Sequence, residues 1–227
     1  MKSDSKCLAK VFLGMIVTGL LVVSAMSAGI TVSAAGKRED IEREGSPTAT
    51  QITDWYDLNA TRQNLAGDYV LMNDLDENTS GYNELVDTQD GWDPIDGWDP
   101  FTGTFDGQGY EIRDLYINKS STNDIGLFAS ADNGAEIKNL GVVDANVTGD
   151  MFSSVLVGRN VDGYLNNTYA TGTLKGDNWY FGGLTSINKG SVNNSYTSVA
   201  VNATGNEEIG GLVGTNEGTV NNSYATG

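Results

Sequence analysis

Histidine is absent from the chain, and cysteine occurs once, as Cys7. These two absences remove Ser-His-Asp and Cys-His nucleophilic machinery and the usual zinc ligand sets. They say nothing about compartment, because 227 residues can bury a real core without disulfide staples. Bases are scarce as well, with 13 Lys and Arg against 30 Asp and Glu for a formal net charge of −17. Such a surface repels phosphate backbones and excludes nucleic acid as a partner. It suits solubility, or calcium-rich or very salty surroundings in which acidic surfaces stay hydrated. Proline occurs only 3 times, whereas there are 29 Gly and 10 Tyr. Long amphipathic runs are missing after the first third, so the usage fits many short strands joined by tight turns rather than an all-helical chain.

Residues 1–35 have the layout of a secretory signal. Lys2, Lys6 and Lys10 precede an apolar run from Val11 to Val23, and a small-residue stretch follows from Ser24 to Gly36. Val32-Ser33-Ala34 or Ser33-Ala34-Ala35 offers the small side chains a signal peptidase needs. Val11 to Ala35 also exceeds the roughly 20 residues that cross a bilayer, so an uncleaved anchor is the second reading and the only expected membrane contact. Cys7 lies before the apolar core, unlike a lipoprotein-anchor cysteine. Cleavage removes three bases and one acid, leaving a charge near −19 on a secreted or cell-surface chain. Residues 36–51 read as a flexible linker.

Beyond the linker the sequence repeats itself. Ile137-Lys138-Asn139-Leu140-Gly141 aligns with Leu165-Asn166-Asn167-Thr168-Tyr169, Val192-Asn193-Asn194-Ser195-Tyr196 and Val220-Asn221-Asn222-Ser223-Tyr224, at intervals of 28, 27 and 28 residues. Ile112-Arg113-Asp114-Leu115, 25 residues earlier, reads as a further copy. A second element precedes each of the four: Gly126-Leu127-Phe128-Ala129, Val155-Leu156-Val157-Gly158, Gly183-Leu184-Thr185-Ser186 and Gly211-Leu212-Val213-Gly214. Gly134, Gly163, Gly190 and Gly218 separate the two elements, where a turn of positive φ suits glycine.

Strand alternation puts Val192, Asn194 and Tyr196 on one face and Asn193 and Ser195 on the other. Lys138 and Arg113 occupy the Asn193 position in earlier copies, which marks that side as outward. Asn139, Asn167, Asn194 and Asn222 are therefore expected inside. There, coils stacked about 4.8 Å apart would let each buried amide satisfy the next in a structural ladder. Tyr169, Tyr196 and Tyr224 should stack in parallel, with Gly141 breaking the column.

The fold class is accordingly all-β, a right-handed parallel β-helix of about four to five coils, its hand following the chirality of parallel crossovers. The period is too short for a propeller blade. Residues 52–124 hold an N-terminal cap and the first coils. A short helix from Thr53 to Leu65 has Thr53 as N-cap and Trp55, Leu58 and Leu65 along one stripe, followed by a strand Tyr69–Met72. Residues 125–227 hold the repeats. The final Ala225-Thr226-Gly227 matches the mid-repeat Ala170-Thr171-Gly172, so the expectation is a chain truncated from a larger protein, or one that stacks against a partner at an uncapped end.

Gly211-Leu212-Val213-Gly214, Asn216, Gly218 and Asn221-Asn222-Ser223-Tyr224-Ala225-Thr226-Gly227 resemble the GLUG motif. The stretches Leu65–Asp76, Trp98 and Phe101–Tyr110 resemble the segment that commonly leads into such repeats. The resemblance implies a β-helical module of large exported proteins, among them adhesin-like surface proteins and the non-catalytic N-terminal portions of some immunoglobulin-A-cleaving peptidases. It carries over no catalytic residue. A metallopeptidase of that kind needs a His-Glu-x-x-His site, which a chain without histidine lacks.

The most site-like stretch is the tandem hexapeptide Asp90–Phe101, where Asp90, Trp92, Asp93, Asp96, Trp98 and Asp99 are candidates for a ligand or calcium. Carboxylates suit calcium and tryptophan faces suit sugars. The spacing fits no EF-hand, and the competing reading is a turn-rich connection with both tryptophans packed on the solenoid. Asp74-Leu75-Asp76-Glu77-Asn78 starts like a calcium loop and departs from one by its sixth position. Three functions stay open: a structural or adhesive surface module, a carbohydrate-active enzyme using aspartates between Asp90 and Asp106, and a calcium-dependent glycan-binding module. The bases a polysaccharide lyase would use are sparse. The expected partners are glycans or other surface proteins, with no catalytic residue, cofactor or metal assigned.

Overall fold

The computed structural model describes residues 49–95, 99–204 and 208–226. The signal segment, most of the linker, and Asp96 and Trp98 lie outside the described residues.

The elements in chain order begin with β1 (Thr50–Ile52), α1 (Trp55–Ala60), β2 (Asp68–Leu71) and α2 (Tyr82–Leu85). Short strands β3 (Thr104–Asp106), β4 (Glu111–Arg113), β5 (Tyr116–Asn118) and β6 (Phe128–Ala131) lead to the long β7 (Glu136–Thr148). Then come β8 (Val157–Asn160), the long β9 (Tyr164–Gly176), β10 (Phe181–Gly182), β11 (Thr185–Asn188), β12 (Ser191–Asn193) and β13 (Tyr196–Ala203). The last are β14 (Ile209–Gly210), β15 (Val213–Asn216), β16 (Thr219–Asn221) and β17 (Tyr224–Ala225).

One sheet follows the path β1-β2-β3-β7-β9-β12-β16, a second runs β6-β8-β11-β15, and β10 pairs β14 in a third. Neighbours within each sheet are parallel and come from successive coils, which makes the fold a β-solenoid of about four turns. Both repeat elements meet in the register their sequences suggest. Ile137 pairs with Leu165, Leu165 with Val192 and Val192 with Val220. Phe128 likewise pairs with Val157, Val157 with Thr185 and Thr185 with Val213. The interior is filled by columns such as Leu127, Leu156 and Leu184, and Ile137, Leu165 and Val192, all fully buried. Each such side chain contributes about 1.5–3 kcal/mol through burial.

Four local expectations need correction. The strand facing Ile137 carries Phe105, not Ile112, which pairs with Val142 further along β7. Phe105 is fully buried and fills the slot, so the hydrophobic match to Ile112 was a coincidence of spacing. The asparagines Asn139, Asn167, Asn194 and Asn222 are not inside. Their φ angles of 51°, 55°, 50° and 46° are left-handed, so the chain turns a corner there and strand alternation stops. The following residues, Leu140, Thr168 and Ser195, take the interior instead, at 1% exposure or less.

The separating glycines are also not all turn glycines. Among Gly134, Gly163, Gly190 and Gly218 only Gly134 has positive φ, at 80°. A Cβ on Gly190 would lie 2.2 Å from the Gly163 carbonyl oxygen, and one on Gly218 would lie 2.2 Å from that of Gly190. Close approach of stacked backbones, rather than dihedral freedom, is what demands glycine there. Finally, the N-cap of α1 is Asp54, whose carboxylate accepts from Asp57 N at 2.8 Å. Thr53 instead donates its own amide and hydroxyl to Asp57 Oδ2, a reciprocal arrangement like a capping box. Trp55 and Leu58 are fully buried, while Leu65 lies beyond the helix and is half-buried.

Candidate functional site

Corner asparagines still bond between coils, but on the exterior. Asn139 Nδ2 donates to Asp106 Oδ1 at 3.0 Å and Asn167 Nδ2 to Asn139 Oδ1 at 2.9 Å. Higher up, Asn194 Nδ2 donates to Asn166 Oδ1 at 3.2 Å and Asn222 Nδ2 to Asn194 Oδ1 at 3.3 Å. Side chains of Glu136, Tyr164, Asn166, Asn193 and Asn221 join Asn194 and Asn222 around an open recess of about 550 Å³.

An interior amide ladder exists at other positions. Asn160 and Asn188 are fully buried, Asn160 Nδ2 donates to Asn188 Oδ1 at 2.7 Å, and Asn188 Nδ2 donates to Asn216 Oδ1 at 2.7 Å. Asn160 Oδ1 also accepts from Gly163 N at 3.0 Å, so this amide closes the glycine turn that follows it. Their signal was available in the sequence as an asparagine recurring every 28 residues just ahead of the separating glycine. Buried hydroxyls form a second column, with Thr168 and Ser195 Oγ atoms 3.0 Å apart and Ser195 N donating to Ser223 Oγ at 3.0 Å.

Tyr169, Tyr196 and Tyr224 do stack, with centroids 5.0 and 5.5 Å apart and planes within 10° of parallel. They lie on the outer side of the corner and are half-buried to exposed, not in the interior. Gly141 ends the column because the Tyr169 ring leans over it, and a Cβ there would meet ring carbon at 2.4 Å. The Tyr169 hydroxyl donates to Glu111. Burial first, and that hydrogen bond second, push its phenol well above the usual tyrosine range.

The tandem Asp-Trp stretch divides. Trp92 is 1% exposed, packs on Trp55 at 5.6 Å and sends its indole N–H towards the Leu127 carbonyl at 3.4 Å. The Arg62 guanidinium covers it from 4.6 Å. Trp92 is thus a core residue that offers no face to a sugar, which corrects its candidacy as a ligand platform. Asp90, Asp93 and Asp99 are exposed. Asp93 pairs with Lys119 at 2.7 Å and, with Asp99, borders an open groove of about 690 Å³ whose other walls include Arg62, Leu65, Lys119 and Asp124. Burial lowers the Arg62 pKa more than neighbouring Asp93 raises it. Among the described residues no group of three or more His, Cys, Asp or Glu is placed to hold a metal ion.

Next to this groove runs a feature that sequence reading missed. Ile125, Ser153, Phe181 and Ile209 pair across successive coils, and the residue before each one is left-handed. Those residues are Asp124, Phe152, Tyr180 and Glu208, with φ of 60°, 58°, 67° and 63°. Bulky side chains are rare in that conformation, which costs about 1–3 kcal/mol for each. Phe152 and Tyr180 stack with centroids 4.9 Å apart and planes 19° from parallel. Arg159 lies 5.5 Å over Phe152 and pairs through Nε with Asp124 Oδ1 at 2.5 Å. Burial raises the Asp124 carboxyl more than Arg159 lowers it. Trp179, adjoining Tyr180, is 47% exposed.

No family model matches the chain, and no solved structure matches it. Over 91 residues it is 37% identical to halomucin of Haloquadratum walsbyi, a match that covers 40% of this chain and 1% of that protein. The chain is therefore a β-solenoid repeat protein similar over two fifths of its length to a small part of halomucin.

Proposed function

We propose that the chain is an exported structural module of the cell surface or extracellular matrix, with an adhesive role and no catalysis of its own. The observation that carries this reading is the division of labour across the coil. Interior positions are used up by apolar columns, a buried amide ladder and stacked hydroxyls. Exterior positions form a periodic array of amides, tyrosines and carboxylates. Such a surface is made for repeated contact rather than for one reactive centre. Three further features support it: the signal-like residues 1–35, the GLUG-like repeats, and the similarity to a protein named halomucin. The net charge of −17 suits a module that stays hydrated in a salty exterior.

Labelling intact cells of an exporting host with a membrane-impermeant amine reagent tests the location. Modification of exposed lysines such as Lys175 is expected, and protection of the chain until cells are lysed would overturn the reading. The enzymatic alternative has its own assay. Release of reducing or unsaturated sugar ends by purified protein, lost in Asp93→Asn or Asp99→Asn variants, would replace the structural role with catalysis.

A further inference from the structure

We propose that Asn78, Asn118 and Asn202 are N-glycan acceptor sites of the folded chain, and that the solenoid withholds its other candidate asparagines from modification. The proposal rests on the export reading for its biological setting. Asn-x-Ser/Thr, the acceptor pattern for N-linked glycans, begins at Asn59, Asn78, Asn118, Asn146, Asn166, Asn193, Asn202 and Asn221. In the transfer, the asparagine amide nitrogen bonds to the anomeric carbon of a lipid-linked oligosaccharide. The bond from that carbon to the lipid phosphate breaks, the lipid phosphate leaves, and an amide proton passes to a base of the transferring enzyme. That enzyme must reach the amide together with the hydroxyl two residues on, so the fold decides which of the eight can react.

Most of the eight fail that requirement. Thr61, Thr168 and Ser195, the hydroxyl residues of the Asn59, Asn166 and Asn193 patterns, are buried. Thr61 Oγ1 donates to Leu58 O at 2.7 Å, and the Thr168 and Ser195 hydroxyls bond to each other inside the coil. Ser223, which follows Asn221, donates to Asn221 O at 2.7 Å and accepts from Ser195 N at 3.0 Å. Asn146 sits within β7, paired with Tyr116 of β5 on one side and Thr173 of β9 on the other, so its segment is locked into the sheet.

Asn78, Asn118 and Asn202 are exposed, and so are Ser80, Ser120 and Thr204 two residues on. Asn78 is the best presented. It lies in the connection between β2 and α2, where the Asp76 carboxylate pins the turn by accepting from Asn78 N and from the Thr79 hydroxyl, both at 2.9 Å. Neither the Asn78 side chain nor the Ser80 hydroxyl has a partner among the described residues. Asn118 donates to Gln89 O at 3.2 Å and Thr204 to Asp177 Oδ1 at 2.7 Å, single surface bonds that water can replace. Asn202 lies on a stretch of β13 that pairs with β9 alone, leaving its other edge open. The repeat column Asn166, Asn193 and Asn221 therefore stays unmodified, and its amides remain available for the contacts of the structural role.

Incubation of the purified folded chain with a single-subunit oligosaccharyltransferase that reads Asn-x-Ser/Thr, and with its lipid-linked donor, tests the proposal. Synthetic peptides spanning each of the eight patterns serve as unfolded references, and mass spectrometry gives the occupancy at each asparagine. Asn78, Asn118 and Asn202 should be modified in the folded chain. Asn166 and Asn193 should be modified at least roughly tenfold less than in their own peptides, because the coil must open before their hydroxyls are reached. Ser80→Ala, at an exposed position, should abolish transfer at Asn78 and leave Asn118 and Asn202 as they were. Occupancy at Asn166 or Asn193 equal to that at Asn78 in the folded chain, or an unmodified asparagine among the three exposed ones, would overturn the proposal. Surface labelling and this transfer assay fail independently, since a chain that stays inside the cell can still be modified once purified.

Discussion

Truncating Asn188 to alanine tests whether the interior amide ladder holds the coils together. The side chain is fully buried, accepts from Asn160 Nδ2, and donates to Asn216 Oδ1 at 2.7 Å and Thr219 O at 3.2 Å. Three hydrogen bonds at a net of about 1 kcal/mol each are lost. A second, asymmetric effect adds to this: Asn160 Nδ2 stays at a fully buried residue without its acceptor, at a further cost of about 1–2 kcal/mol. Asn188→Ala should therefore destabilise by about 3–5 kcal/mol. Asn216→Ala, at the exposed end of the same ladder, should cost only about 1 kcal/mol because water replaces the missing partner. Urea unfolding followed by far-ultraviolet circular dichroism gives the two values. Hydrogen exchange at the β11 amides then tells whether neighbouring coils separate before the rest, as linear repeat arrays can. Equal destabilisation by the two substitutions would refute the reasoning.

Exterior asparagines should behave differently. Asn194→Gly removes its amide but keeps the φ of 50° accessible, so it should change stability by under about 1 kcal/mol, while Asn194→Ala should cost about 1–2 kcal/mol through backbone strain. A loss as large for glycine as for alanine in the same unfolding assay would show that the exterior amide, which both variants lack, matters more than the corner. Gly190→Ala should destabilise by more than about 2 kcal/mol, because its Cβ would meet the carbonyl of Gly163, which is itself backbone. A variant as stable as the parent would show that the coils can part at no cost. Tyr169 supplies a pH dependence. Its phenol titrates higher in the folded chain than the value of about 10 expected when unfolded. Its contribution is therefore fully present below about pH 10 and lost as pH rises further, where only the unfolded chain ionises. Tyr169→Phe should flatten the fall in stability measured above about pH 10, leaving the part due to Tyr69 and Tyr82, which burial also raises. A slope identical to that of the parent would remove Tyr169 from the account.

The recurrence near 28 residues by itself determined that the chain is a stacked parallel β-solenoid, because equal intervals between apolar residues oblige Ile137, Leu165, Val192 and Val220 to lie over one another. It also determined that the tyrosines form a column and that Gly141 interrupts it. Which face each residue takes was decided only by the tertiary structure. Alternation holds while the backbone stays extended, and one left-handed residue at Asn139, Asn167, Asn194 or Asn222 reverses it, sending the amide out and its neighbour in. Glycine reads the same whether it supplies positive φ, as at Gly134, or room for another backbone, as at Gly190, since only the neighbouring coil distinguishes the two. The aromatic ridge was illegible for a related reason. Phe152 and Tyr180 look like ordinary core residues in a linear reading, and their stack exists only because adjacent coils place two disfavoured left-handed corners over each other.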